Sequence, residues 1–536
     1  MSTKKILLEE VIPWERYLHI DRFCSFNQGV QALPVIAAFL EDEGLARIEL
    51  DRDIVEGYVS DSSNLPGDAA ALARPKSVEE CAALFRACFS ARIPFTVSGG
   101  RSNLTGSATP EGGVIVSLDY LKEPPVGTDR DGMIVRSPAG IILEDMRNAV
   151  LQQSRNTLIF PVDPTSRADA TVGGAVACNA SGFTPGEEGA MRHWTIGLDV
   201  LLPNGLMVRS QRGSHVSEDG SFLLCHRGLE TVLPIPGYVR PAIKNASGPF
   251  SSSDGVMDFI DLIVGSEGIF GIVTGCSLHL KQRPNDYLDI FFSLPGEDRA
   301  VEFLFYLKSL FSRDLSSLSA LEYFGINCRK YMDYEQKFFR EDHEVGIYIQ
   351  VPLYEKVLEE AAEAWLDILT GSPCSIDGEA VRMMATDRDR ALFLDARHSL
   401  PANSIEVVKR RGTHTILTDT VVPPEHFAEF LSYTNNLIAS EGLDYLSFGH
   451  LGDCHLHFSI MPEKDELGKA LDVYDRIVEK SAALGGVYSG EHGTGKRKKK
   501  DFLKCYGSPA ADQVRDTKRV LDPLFLLNRG DVVDPL

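Results

Sequence analysis

No run of about eighteen apolar residues occurs anywhere in this 536-residue chain, so none of it has the length of a membrane-spanning helix. Residues 1–10 contain no apolar core of the kind a secretory signal needs. Cysteine occurs ten times but never as a C-x-x-C pair, which disfavours an iron–sulfur cluster or a four-cysteine zinc site. Scattered thiols fit a reducing compartment; the expected location is cytoplasmic, with peripheral attachment to the inner face of a membrane left open. Positive charge is also short: 54 Lys and Arg stand against 76 Asp and Glu, a net charge of −22. That balance argues against nucleic acid as a partner. The one basic run, 496–500, reads as a solvated face that could also draw in an anionic substrate.

What is present is an ordinary globular composition, 43% apolar and 24% charged, in a chain long enough for two or three domains. Residues 1–70 hold one clear helical pattern, over 34–43 with Gly44 as its stop, then an acidic polar link without visible chemistry. From Arg74 the order tightens. Ser77 with Glu80 three residues on makes a capping box, and Val78, Cys81, Leu84, Phe85 and Cys88 trace one helix face. Residues 94–97 read as a strand emptying into Ser98-Gly99-Gly100-Arg101-Ser102-Asn103-Leu104-Thr105-Gly106. Such a loop can aim N–H groups and hydroxyls at an anion, although it has neither the P-loop lysine nor a G-x-G-x-x-G turn. A strand and a helix are expected between 132 and 153. Then come 160–166 and a run of small residues over 171–182, which permits close approach of backbone to a large flat ligand. A hairpin is expected over 198–209, with Asn204-Gly205 as its two-residue turn. Two further blocks follow at 244–248 and 261–274. Beyond Arg283-Pro284 the pattern becomes an α+β layer, with strands over 287–294, 346–351, 414–422, 445–448 and 455–461 and helices over 298–311, 353–369, 424–440 and 464–484.

Two clusters carry the chemistry. One is Gly449-His450-Leu451-Gly452-Asp453-Cys454-His455-Leu456-His457; the other is Gly490-Glu491-His492-Gly493-Thr494-Gly495. Three of the thirteen histidines fall within eight residues, and one helix separates them from the Glu-His pair. Imidazoles with a carboxylate are ligands for a borderline divalent cation, Zn²⁺ foremost, with Mn²⁺ or Fe²⁺ as alternatives. The competing reading is a half-buried strand, because Leu456, Phe458 and Ile460 alternate with His455, His457 and Ser459. Two glycine-flanked clusters favour a metal or catalytic site.

These blocks, in this order, resemble the flavin-binding domain of the vanillyl-alcohol oxidase superfamily, the PCMH-type FAD domain. Among its branches they are most similar to the D-lactate, glycolate and D-2-hydroxyglutarate dehydrogenases. The resemblance runs from about Arg74 to the carboxyl end, through Asp522-Pro523 and Asn528-Arg529-Gly530. It implies an α+β protein in four parts: an N-terminal extension (1–70), a PCMH-type FAD-binding domain of two α+β subdomains (71–284), an α+β substrate cap with a ferredoxin-like sheet plus helices (285–488), and a segment returning to the FAD domain (489–536). FAD would be surrounded by Ser98, Gly99, Gly100, Arg101, Ser102, Asn103, Thr105 and Gly106; by Pro161, Asp163, Thr165 and Ser166; by Gly173, Gly174, Asn179, Ser181 and Gly182; and by Glu267, Gly268, Gly271, Ile272, Val273 and Asn528. The first glycine loop lacks the histidine that many relatives use for covalent attachment, so FAD is expected to be non-covalent.

On the family motifs G-H-x-G-D-G-N-x-H and E-H-G-x-G, the metal ligands would be His450, His457 and Glu491, and His492 would be the base at the substrate hydroxyl. Cys454 and His455 depart from that pattern, standing for Gly and Asn; His455 is the alternative base. Arg397 would pair with the substrate carboxylate, since a planar guanidinium suits bidentate recognition. Leu417 stands where hydroxyglutarate enzymes carry a lysine. The implied activity is FAD-dependent oxidation of a small D-2-hydroxy acid to its 2-keto acid. Electrons would then pass to a quinone, an electron-transfer flavoprotein or an iron–sulfur protein, and a homodimer is compatible with this. Rival readings are an alkylglycerone-phosphate-synthase-like flavoenzyme and a non-catalytic FAD-binding electron-transfer subunit.

Overall fold

The structure, a computed structural model, describes residues 5–311, 315–341, 343–355 and 357–535. It is an α+β fold. Three parallel strands, Ala71–Ala73, Val114–Ser117 and Phe95–Ser98, form the centre of a four-stranded sheet, with Ile48–Glu49 antiparallel at its edge. Helix Val78–Ser90 crosses over between Ala71–Ala73 and Phe95–Ser98, burying Cys81, Leu84, Phe85 and Cys88. Ser77 Oγ accepts from the Glu80 N–H, while the Glu80 carboxylate reaches the N–H of Lys76 rather than that of Ser77, so the box closes one residue early. The carboxyl end of strand Phe95–Ser98 delivers the glycine loop, the end at which open parallel sheets place their ligands.

A six-stranded antiparallel sheet follows, ordered Glu9–Glu10, Leu206–Gln211, Thr195–Leu201, Ile272–His279, Ile134–Pro138 and Gly127–Asp129. Helix Val172–Ala177, made of small residues, packs on strand Ile272–His279. The expected hairpin is there, but its turn is not Asn204-Gly205. The N–H of Gly205 donates to the Leu202 carbonyl across Pro203-Asn204, and Gly205 follows at φ +80° as a left-handed bulge. Pro203 is suited to the first central position of that turn, and Asn204 does not have the positive φ that a two-residue Asn-Gly turn requires.

The amino-terminal stretch is no appendage. Ile6–Leu7 lies parallel to Ser221–His226, and Glu9–Glu10 pairs with Leu206–Gln211. Helix Trp14–Phe26 packs on helix Val78–Ser90, where Arg86 Nε donates to Asp21 and the buried Tyr17 hydroxyl donates to the Gly205 carbonyl at 2.7 Å. At the other end of the chain, Phe502, Val514, Phe525 and Val532 join the core beneath the six-stranded sheet, and Leu527 bridges Phe95 in the parallel sheet.

Between these lies a seven-stranded antiparallel sheet, ordered Arg382–Met384, Asp286–Leu294, Val345–Leu353, Ala320–Phe324, Tyr445–His450, His455–Ile460 and Ile416–Leu417. Helices Glu297–Leu310, Leu358–Thr370, Phe427–Ser440 and Leu467–Ala483 cover one face and share its core. Helix Asp387–Arg411 packs on the other, against Phe291, Phe324 and Tyr348. Strand Ala320–Phe324 and helix Asp387–Arg411 have no counterpart in the sequence reading, and the strand expected over 414–422 is regular only at Ile416–Leu417. No single helix among the described residues is long and apolar enough to cross a membrane.

Candidate active site

A cavity of about 430 Å³ runs from the glycine loop to the histidine cluster. Its walls are Ser98 to Leu104, Asp163 to Ser166, Gly173 and Gly174, Ser181 and Gly182, Glu267 and Gly268, Gly271 to Val273, and Asn528, and its far end is His450, Glu491 and His492. The residues fit a large flat anion. Ser98 Oγ is buried without a hydrogen-bond partner among the described residues, and the N–H groups of Gly100, Arg101 and Ser102 donate to none of them. Gly100 is required by packing: a Cβ there would lie 1.9 Å from the Asp169 carbonyl oxygen. The amino-terminal stretch contributes as well, since Ser62 lines the cavity and Asp61 accepts from Asn103 Nδ2 and the Ala108 N–H, fastening the loop.

Four expected cofactor residues lie outside the cavity. Thr105 faces away, its carbonyl accepting from the N–H groups of Lys496 and Arg497 and its hydroxyl donating to the His492 carbonyl. Gly106 turns the chain at φ +83°, with its N–H on Asn103 Oδ1. Asn179 ends the small-residue helix in a left-handed conformation and accepts from the Arg192 N–H. Pro161 is buried and does not line the cavity.

The cluster is built on a hairpin. His450 faces His455 across Tyr445–His450 and His455–Ile460, and Phe448 faces His457. The expected alternation is present, with Leu456, Phe458 and Ile460 in the core between the seven-stranded sheet and its helices, but the histidine face is buried too. Cys454, at φ +54°, makes the turn, so a residue with a side chain occupies the left-handed position where glycine is at ease. Glu491 is the centre. Its Oε2 lies 3.3 Å from His450 Nε2 and accepts from Lys244 Nζ and Ser181 Oγ, each at 3.2 Å; its Oε1 lies 3.2 Å from His457 Nε2 and 3.6 Å from His492 Nε2.

The outer nitrogens are anchored. His450 Nδ1 lies 2.6 Å from Glu322 Oε1, and His457 Nδ1 lies 3.3 Å from the Thr418 carbonyl oxygen. Both contacts place the proton on Nδ1 and leave the Nε2 lone pairs facing Glu491, the arrangement that suits metal-ligating histidines. Donor atoms of His450, His455, His457 and Glu491 lie within 4.8 Å of one another. The set therefore fits a divalent cation. Burial opposes the charge on Glu491, yet Lys244 and His450 hold its carboxylate well below the usual range. Burial and Lys244 also push His450 down, and Glu322 and Glu491 outweigh them to raise it to about 9. The same two carboxylates would favour a metal cation in place of that proton.

Asp419 is a second hub, fully buried. Its Oδ1 lies 2.8 Å from His455 Nε2; its Oδ2 accepts from Ser489 Oγ, the His492 N–H and Lys498 Nζ, and lies 3.3 Å from His492 Nδ1. Burial disfavours its charge, but His492, Lys498 and His455 hold it well below the ordinary carboxylate range. Burial lowers His492 to about 4 despite Asp419, and burial with Lys244 lowers His455 to about 3. His492 lines the cavity; His455 is 0% exposed and lies behind it, so the alternative base has no access to substrate.

Arg397 is paired with a carboxylate of the chain itself. Its Nε and Nη2 both donate to Glu322 Oε2, at 3.2 and 2.6 Å, and its guanidinium lies 4.2 Å from the Phe183 ring centroid. The basic run is a solvated face only in part: Arg497 and Lys500 are exposed, whereas Lys498 pairs with Asp419 and Lys496 with the buried Asp531. Glu322, Asp419 and Lys244 are site residues that the sequence alone does not single out. The only sequence signal for two of them was their place in the 244–248 block and beside Leu417; Glu322 had none.

The family described as FAD binding domain matches residues 69–211, and the family described as FAD linked oxidases, C-terminal domain, matches residues 324–532. The protein is thus an FAD-binding enzyme. It belongs to the FAD-linked oxidoreductases with a PCMH-type flavin domain. The D-lactate dehydrogenase of Anaerostipes hadrus is 28% identical over 501 residues, covering 91% of this chain and 94% of its own. The D-2-hydroxyglutarate dehydrogenase of Xanthomonas citri pv. viticola is 27% identical over 474 residues, covering 87% and 89%. The structure of p-cresol methylhydroxylase with substrate bound shares the fold at TM-score 0.67 and 14% identity, over 98% of this chain and 99% of that one.

Proposed function

We propose that the protein oxidises a small D-2-hydroxy acid to the 2-keto acid, with non-covalent FAD and a divalent cation, zinc foremost, at His450, His457 and Glu491. One observation carries this reading: the glycine loops and the histidine–carboxylate cluster line the same cavity, with His492 among them. The two relatives named above, which act on D-lactate and D-2-hydroxyglutarate by name, support the substrate class. FAD, when bound, supplies an acceptor for the hydride at C2 of the substrate. A divalent cation, when bound, supplies Lewis acidity toward the hydroxyl oxygen.

The chain's own part is the proton. Asp419 holds the proton of His492 on Nδ1, which leaves Nε2 to accept the hydroxyl proton, and it then stabilises the imidazolium. Burial keeps His492 neutral near pH 7, the state a base needs. Arg397 acts at a distance: through Glu322 it fixes His450 rather than the substrate. Lys244, 8% exposed, is the fixed positive charge that offsets Glu491 and Asp453 in a nearly dry site. Turnover also needs a second substrate that takes electrons: a quinone, an electron-transfer flavoprotein or an iron–sulfur protein.

The test is anaerobic addition of D- and L-2-hydroxy acids to the yellow protein. Bleaching by a D-acid and not by its mirror image is the expected result; no bleaching by any 2-hydroxy acid would overturn the reading. Acid denaturation should release free FAD.

A further inference from the structure

Each of the three clustered histidines has one ring nitrogen held from outside. For His450 the holder is Glu322, for His457 the Thr418 carbonyl, and for His455 Asp419 at 2.8 Å from Nε2. Asp419 takes donors from Ser489, His492 and Lys498 as well, so it is an acceptor toward His455 and the proton belongs on His455 Nε2. That assignment leaves the lone pair on Nδ1. Nδ1 is buried and has no hydrogen-bond partner among the described residues, a costly condition for an acceptor shut away from water. The ring centroid of His455 is 4.6 Å from that of His457 and 5.4 Å from that of His450, and His455 is one of the four residues whose donor atoms lie within 4.8 Å of one another. A histidine that gives one N–H to a carboxylate and keeps its other nitrogen bare is oriented as a metal ligand.

We infer that His455 supplies a fourth ligand, through Nδ1, to the cation held by His450, His457 and Glu491; this rests on the metal reading proposed above. The site is then three imidazoles and a carboxylate, with Asp419 behind His455 as Glu322 is behind His450. Asn, the residue of the family motif at this position, offers no imidazole nitrogen to the cation. A fourth protein ligand would not bar a substrate oxygen, because zinc, when bound, would tolerate a fifth ligand. Asp419 also acquires a double duty, orienting a ligand with one oxygen and the base with the other.

The experiment is zinc X-ray absorption on the full-length, FAD-loaded protein and on His455→Asn, together with a chelator competition for zinc affinity and a flavin count. Three imidazole scatterers in the wild type and two in the variant are expected. Zinc affinity should fall at least about tenfold while FAD content holds. Two imidazoles in the wild type would overturn the inference and leave the proposed function standing, and that count decides the matter even if the variant does not fold. A wild type that binds no divalent cation would overturn both.

Discussion

The two ends of the cavity are built on opposite plans. At the flavin end the chain withholds side chains: glycines, serines and alanines bring bare backbone to the surface, and the charged Glu267 turns away to accept the N–H groups of Thr494 and Gly495. At the histidine end the chain crowds side chains together, and nearly every charge is answered by another within hydrogen-bond reach. One end is spoiled by adding atoms, the other by removing a partner. The largest effect should come from the second kind of change. His492→Ala should cut the rate of anaerobic flavin reduction by about 10²–10⁴, the usual worth of a positioned base, with FAD content near that of the wild type. Stopped-flow reduction at wild-type speed would remove His492 from the chemistry.

Arg397→Met tests the same end through stability. It leaves Glu322 buried with half its counter-charge, and breaking such a pair costs about 3–5 kcal/mol. Urea titration should show that loss. A variant that melts normally but loses rate with one substrate only would return Arg397 to the substrate carboxylate.

These two residues also show what the sequence could disclose. The glycine loops and the histidine hairpin were legible because their function sits in contiguous residues. Glu322, Asp419 and Lys244 were not, because each gains its meaning from a partner some 70 to 250 positions away, as in Arg397–Glu322 or Lys244–Glu491. Helix Asp387–Arg411 was hidden for a related reason. Its buried stripe, Phe393, Ala396, Arg397, Leu400, Ser404 and Val408, keeps helical spacing, but Arg397 and Ser404 interrupt its apolar character. The basic run hides two inward-facing residues, because Lys496 and Lys498 find Asp531 and Asp419 only once the chain has folded.

Acid should affect the metal-free protein chiefly at the histidine end. His492 is lowered to about 4 and His455 to about 3, so their contributions are fully present above about pH 6.5, where the unfolded histidines titrate, and are lost as pH falls toward those values. His450, raised to about 9, has the opposite sign: its contribution is present below about pH 6.5 and lost as pH rises through 9. At roughly 1.4 kcal/mol per unit, His492 alone accounts for up to about 3 kcal/mol. Melting temperatures of the chelated protein should therefore fall on both sides of neutrality. A flat profile would mean that the cluster is wet.

The flavin end is broken by a methyl group or two. In Gly100→Val the new Cβ meets the Asp169 carbonyl oxygen, so backbone must shift where the loop is closest. Overpacking of that kind costs about 1–3 kcal/mol. It should appear as flavin lost on gel filtration, with metal content unchanged. Flavin retained at the wild-type level would show that the loop can slide past Asp169.

The smallest effect belongs to the position where the two plans meet in one residue. Cys454 takes the left-handed conformation, at a strain of roughly 1–2 kcal/mol for a residue with a Cβ, yet its side chain is 1% exposed and packs in the cap core. Cys454→Gly relieves the strain. It also loses the buried side chain, worth roughly 1 kcal/mol, and gives the unfolded chain about 0.5–1 kcal/mol of extra freedom. These terms nearly cancel, so urea titration should show a change under about 1 kcal/mol, and bound metal should stay constant because His450 and His455 remain paired across the hairpin. A loss of metal would show instead that the Cβ of Cys454 sets the turn, and that the register bringing His455 opposite His450 depends on the core as much as on the ladder.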